Sequence, residues 1–185
     1  YTPLLDRFSK ELNMQEGKEY LHIAAHKKEI SLLRDALSKS ESANAILVGE
    51  PGVGKTTIIK GLGKQMRAGR STYTLNYKRL VLIDMNAVLS EKSFGGLAET
   101  LTTLLQQAEA AGNVVLAIDN IEQYLIPGSS VNVAQILLPF LKSSRINISG
   151  PATRGGYEKS IAQNSLMRTI FEAVPVEEPS RETMI

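Results

Sequence analysis

The chain contains no cysteine, which excludes disulfides and thiolate metal sites. It carries little net charge: 21 basic residues stand against 19 acidic ones, a balance of +2. That balance gives no electrostatic case for a nucleic-acid or membrane surface. No uninterrupted apolar stretch approaches the length of a bilayer span, and no secretory signal pattern opens the chain. Internal repeats and low-complexity tracts are also missing. These absences leave a cytoplasmic protein as the default expectation. The remaining composition, 43% hydrophobic and 22% charged over 185 residues, suits one globular domain with a sizeable core. The chain opens on Tyr1 and closes on "EEPSRETMI" with no helix stop signal, so a segment of a longer protein is expected.

Short apolar runs alternate with longer stretches of helical periodicity. "NAILVGE" (44–50), "RLVLIDM" (79–85), "NVVLAID" (113–119) and "RINIS" (145–149) read as strands, and "EAVPV" (172–176) as a weak fifth. Leu4, Leu5, Phe8 and Leu12 predict a short N-terminal helix followed by a polar linker. Ile30, Leu33 and Leu37 share a face of the next helix. Helices are further predicted over 54–69, stopped by Gly69, and over "LAETLTTLLQQAEAAG", stopped by Gly112. "SVNVAQILLPFLKS" is a helix in which Pro139 suggests a kink or early break, and "SIAQNSLMRTIF" is another helix. Strands of this kind alternating with helices specify a parallel sheet covered on both faces. Ligands in such sheets bind beyond the carboxyl ends of the strands.

"GEPGVGKT" (49–56) matches the phosphate-loop pattern G-x-x-x-x-G-K-[ST], with a strand before it and a helix after it. Its glycines let backbone N–H groups turn inward around phosphate oxygens. The helix N-terminus adds a positive dipole end. Gly49, Glu50, Pro51, Gly52, Val53, Gly54, Lys55, Thr56 and Thr57 form the candidate nucleotide-binding set. Lys55 is placed to reach the β- and γ-phosphates, and the Thr56 hydroxyl to ligate Mg²⁺.

Asp119 ends the third strand, where a carboxylate that holds Mg²⁺ belongs; its plain alternative is a cap or turn residue. The ordered set "ILVGEPGVGKT", "RLVLIDMNAVL", "VVLAIDNIEQY" and "VEEPS" resembles Clp-type AAA+ unfoldases, specifically the first of the two ATPase modules in tandem members. The resemblance covers nearly the whole chain from about Leu5 onward. It implies a three-layer P-loop NTPase (AAA+) α/β fold with a five-stranded parallel sheet flanked by helices, in the order 5-1-4-3-2. Residues 1–25 become an N-terminal helix and linker leading into the adenine pocket, and 26–185 the large α/β subdomain, without the helical lid. The implied ligands are ATP or ADP with Mg²⁺, with Ile23 and Ala24 in the adenine pocket. The implied assembly is self-association or hetero-assembly into a hexameric AAA+ ring acting on a polypeptide client.

Departures from the family pattern carry as much information. The family's water-activating Glu is Asn120 here, and an amide cannot accept a proton. Loss of a general base costs about 10²–10⁴ in rate. Glu122 would share a face with Asn120 and serve as a substitute base if the strand continued, but the chain is expected to turn. In "MRTIF" (167–171), Thr169 and Ile170 occupy the two arginine-finger positions, and Arg168 stands one place early. Fingers are worth about 10³–10⁵ in turnover. The pore loop reads Lys92, Ser93, Phe94, Gly95, with Ser93 replacing the gripping aromatic. Thr153 falls at the position that senses the γ-phosphate.

The resulting expectation is a module that binds Mg-nucleotide, hydrolyses it slowly or not at all, and supports assembly. One alternative is an active ATP-hydrolysing protein unfoldase. Another is a DNA-associated AAA+ ATPase, which the near-neutral charge argues against. His22 and His26 share a helical face but have no third ligand in view, and Asp84 reads as a cap. "KQMRAGR" reads as a solvated face or a subunit contact.

Overall fold

A computed structural model describes residues 3–11, 25–91, 96–125 and 133–177. The elements in order are α1 (Pro3–Arg7), β1 (Ser9–Glu11), α2 (Lys27–Leu37), β2 (Asn44–Val48), α3 (Lys55–Arg67) and β3 (Arg79–Ile83). They continue with α4 (Met85–Ser90), α5 (Leu97–Ala111), β4 (Val114–Ile118), a 3₁₀ turn at Ile121–Tyr124, and α6 (Val133–Leu141). The described residues end with β5 (Asn147–Ala152), α7 (Arg154–Tyr157), a π-helical turn at Glu158–Ala162, α8 (Ser165–Ile170) and β6 (Phe171–Pro175).

The sheet order is β1-β3-β4-β5-β2-β6. All pairings from β3 to β6 are parallel. Numbered among themselves, these five strands run 5-1-4-3-2, as the family resemblance implies. Strands β2, β4 and β5 are buried along their whole length, which is why they read as unbroken apolar runs. Alternation sorts their side chains into two cores. Ile46, Val48, Leu116 and Ile118 pack with α1, α4, α5, α6 and α8 on one face. Ala45, Leu47, Val115 and Ala117 pack with α2 and α3 on the other.

Three expectations change. The sheet has a sixth strand: β1 pairs antiparallel with β3, Ser9 opposite Ile83, and the Asp84 N–H donates to the Phe8 carbonyl at 2.7 Å. Its three residues, "SKE", are too few and too polar to show a strand period. The long-range anchor is α1, whose Leu4 and Leu5 N–H groups donate to Gln107 Oε1 at 2.9 and 3.1 Å. Second, "SIAQNSLMRTIF" is not one helix. Asn164 accepts from the N–H groups of Leu166 and Met167, caps α8 and separates it from the π-helical turn. Third, β5 runs on through Gly150 and Pro151 because both of its edges are paired, first with β4 and then with β2.

Other punctuation follows the sequence. Gly69 and Gly112 have φ of 68° and 73° just past their helices. The α6 helix passes Pro139 and stops two residues later at Leu141. Asp84 caps α4 by accepting from the Ala87 N–H at 3.1 Å.

The amino ends of the strands are closed by two buried asparagines. Asn44 donates to the carbonyls of Leu141 and Ile170 and accepts from the Ile148 N–H. Asn147 donates to the carbonyls of Leu37 and Ala43. The candidate site lies at the opposite, carboxyl end.

Candidate functional site

Strand β2 delivers the chain into the phosphate loop. The Gly49 N–H donates to the Ala152 carbonyl at 3.1 Å, tying the loop to the end of β5. Gly52 and Gly54 have φ of 83° and 102°, a region that costs other residues strain. At Gly54 space is short as well: an added Cβ would lie 2.6 Å from His26 Nε2. His26 is only 2% exposed, so the loop rests on a buried imidazole. Its Nδ1 is 3.8 Å from Glu29 Oε2. The sequence weighed His26 only as a metal ligand and missed this packing role.

Helix α3 begins at Lys55 with its first turn at the loop. Glu50, Pro51, Gly52 and Thr56 are exposed, while Val53, Gly54, Lys55 and Thr57 are half-buried. Lys55 Nζ donates to the Gly49 carbonyl at 2.5 Å and the Ala152 carbonyl at 3.2 Å. Burial lowers the Lys55 pKa; the nearby carboxylates of Glu122, Glu50 and Asp119 oppose that shift. A part-buried ammonium of this kind gains from an anion close by.

Asp119 and Asn120 are exposed at the end of β4. Asn120 adopts φ 51° and ψ 46°, the left-handed conformation that Asn tolerates better than most residues. The chain turns there into the 3₁₀ segment, so Glu122 does not continue an extended strand. Instead Glu122 is buried and its Oε1 accepts from the Thr153 N–H at 3.3 Å. The Thr153 hydroxyl accepts from the Gly156 N–H at 3.1 Å, capping α7, and lies 3.5 Å from Glu122 Oε1.

Thr169 is exposed at the end of α8, with its hydroxyl on the Ser165 carbonyl at 2.8 Å. Ile170 is 3% exposed and belongs to the core, so position 170 does not reach outward. Arg168 is exposed. In the basic stretch after α3, Lys64, Arg67 and Arg70 are exposed. Ile23, Ala24, His22 and the pore-loop residues Lys92, Ser93, Phe94 and Gly95 lie outside the described residues.

A cavity of about 350 Å³ opens over the ends of β3 and β4, lined in part by Arg7, Asp84, Asp119, Asn120 and Tyr124. It shares Asp119 and Asn120 with the candidate site but includes none of the phosphate loop. Among the described residues, no group of three or more His, Cys, Asp or Glu side chains gathers for a metal. Mg²⁺ needs few protein ligands when phosphate supplies the rest, and a hydroxyl and a carboxylate at Thr56 and Asp119 suit that chemistry.

A parallel sheet with helices on both faces, and a glycine-turned loop feeding a helix at its carboxyl edge, define a P-loop NTPase fold. A family model described as "ATPase family associated with various cellular activities (AAA)" matches residues 45–172. The chain belongs to this AAA family, as a Clp-type module. It is 30% identical over 190 residues to the chaperone protein ClpB of Oceanobacillus iheyensis, covering 100% of this chain and 23% of that protein. It is 31% identical over 184 residues to the ClpC ATP-binding subunit of the ATP-dependent Clp protease of Staphylococcus aureus, covering 97% and 22%. The S. cerevisiae Hsp104-ADP complex superposes with a TM-score of 0.80 at 24% identity, over 97% of this chain and 26% of that one. The chain thus spans about a quarter of each relative. AAA membership implies nucleotide binding, typically with Mg²⁺. No helix among the described residues is long and apolar enough to cross a membrane.

Proposed function

We propose that this module binds Mg-adenine nucleotide in the Gly49–Thr57 loop, hydrolyses it slowly or not at all, and stabilises a hexameric AAA+ ring by staying loaded. The observation that carries the reading is Asn120 standing directly after the Asp119 that would hold Mg²⁺ with Thr56. A bound nucleotide supplies a terminal phosphate open to attack by water. The protein's own part is to hold that phosphate with loop N–H groups and Lys55. Activating the water requires a proton acceptor, and the Asn120 amide is not one. Thr169 is neutral and Ile170 is buried, so α8 offers no cation at either finger position. Two separate parts of the hydrolytic apparatus are therefore lacking, and their costs do not simply add.

The Hsp104 relative was solved with ADP, and others with casein. By analogy the ring would carry a polypeptide client, with another ATPase module supplying the work. Ser93 in place of an aromatic weakens any grip by this module. Titration with a fluorescent ATP analogue and Mg²⁺, beside a phosphate-release assay, tests the proposal. Saturable uptake with turnover far below one per second is the expected result. No uptake, or turnover near one per second or faster, overturns it.

A further inference from the structure

The peptide unit joining Ala152 to Thr153 has a cation at one end and a carboxylate at the other. Its carbonyl oxygen accepts from Lys55 Nζ at 3.2 Å, and its N–H donates to Glu122 Oε1 at 3.3 Å. Charge-assisted hydrogen bonds on both sides of one amide polarise it in the same sense and strengthen each other. Glu122 has little freedom to be elsewhere. Its side chain lies flat on Gly156, where an added Cβ would come within 2.3 Å of Glu122 Cγ. The residue is 7% exposed, and its second oxygen, Oε2, finds no hydrogen-bond partner among the described residues. A buried carboxylate oxygen without a partner is costly, and natural proteins keep few of them without a use. Of the three carboxylates that act on Lys55, Glu122 acts most strongly.

We infer that Glu122 is a positioning residue that links Lys55 to the Thr153 turn through the 152–153 peptide and sets the preference between nucleoside triphosphate and diphosphate. The inference rests on the reading of Gly49–Thr57 as the phosphate site. Lys55 has one charge to share. On the Gly49 and Ala152 carbonyls it polarises the peptide toward Glu122; drawn toward a phosphate, it leaves the Ala152 oxygen with the neutral Gly49 N–H alone, and the charge-assisted part of the polarisation is lost. The Thr153 N–H then holds Glu122 less firmly, and the turn capped by the Thr153 hydroxyl is freed to move. The Glu122 charge, acting on the same ammonium, also opposes the more highly charged ligand. No proton passes to Glu122 in this role, which separates it from a catalytic base.

The test compares dissociation constants for Mg-ADP and for a non-hydrolysable Mg-ATP analogue, by calorimetry, in the chain and in Glu122→Gln. The Thr153 backbone amide resonance is followed in both titrations. Gln keeps an oxygen for the Thr153 N–H and removes the charge. It should raise the analogue-to-ADP affinity ratio about fivefold or more. In the unaltered chain the analogue should shift the Thr153 amide further than ADP does, and the substitution should shrink that difference. Gly156→Ala, whose Cβ displaces Glu122, should move the ratio the same way. A ratio unchanged within about twofold, the scatter of a weakly coupled surface charge, overturns the inference. So does an equal response of the Thr153 amide to both nucleotides in the unaltered chain, a measurement that needs no variant. Failure of the unaltered chain to bind either nucleotide removes the phosphate-site reading instead.

Discussion

The two ends of the sheet treat polar groups in opposite ways. At the amino ends, the buried side chains of Asn44 and Asn147 bond to surrounding carbonyls, with Asn44 Oδ1 taking the Ile148 N–H as well. At the carboxyl ends, Glu122 keeps an unpartnered oxygen, Lys55 leans on two carbonyls, and Asp119 and Asn120 face outward. A closed network holds a structure together and asks for nothing more. An open one retains bonding capacity that a ligand can fill. Within the open end the same contrast recurs: binding is assigned largely to backbone and glycine geometry, whereas water activation is assigned to single side chains. A function carried by one side chain is lost by one substitution, while a cradle made of backbone survives many.

Four substitutions or conditions probe this contrast. Asn44→Ala leaves the Ile148 N–H and the Leu141 carbonyl unpaired in the core, and should destabilise the fold by about 3 kcal/mol. Urea unfolding measures this, and nucleotide affinity should not change; a loss of affinity would mean the two ends are not separable. Lys55→Ala should do the reverse, weakening Mg-nucleotide binding about 100-fold, or about 2.7 kcal/mol. Its unfolding free energy should move by less than about 0.5 kcal/mol.

Asn120→Glu puts a carboxylate at the water-activating position but forces it into φ 51°. The expected cost is about 1 kcal/mol in stability. On the proposed reading turnover should rise by less than about tenfold, because Thr169 and Ile170 supply no cation at the finger positions. A rise of several hundredfold in a phosphate-release assay would show that Asn120 alone had silenced the site.

The smallest effect is that of pH. Burial lowers the Lys55 pKa from 10.5, so the folded chain releases this proton while the unfolded chain still holds it. Between the lowered value and 10.5, the contribution of Lys55 to stability rises with pH; below that window its penalty is fully present. Nucleotide affinity should move the other way, falling as pH climbs through the lowered value and the ammonium is lost. Calorimetric titrations at rising pH check the sign, and an affinity that increases with pH would contradict the role given to Lys55.

Much of the architecture could be read from local pattern. Apolar runs such as 114–118 are strands because both faces are buried, and Gly69, Gly112 and Asp84 stop or cap helices by chemistry that acts within a few residues. The short β1 strand was not legible, because its pairing depends on α1 docking against Gln107 far along the chain. The break at Asn164 was legible in principle from its capping side chain, but the apolar spacing around it favoured one continuous helix. Gly155-Gly156 after Thr153 was the one available signal that something approaches that turn closely.

By itself, then, the amino-acid sequence determined the glycine-rich pattern at 49–56 and the residues Asn120, Thr169 and Ile170 from which the proposed binding and impaired cleavage are argued. A glycine-turned loop and the identity of a residue are properties of a few adjacent positions. Only the tertiary structure decided that Glu122, Thr153 and Lys55 meet across one peptide unit, and that His26 lies under Gly54. Those contacts join side chains from separate strands and helices, and no spacing along the chain specifies them until the sheet order has formed.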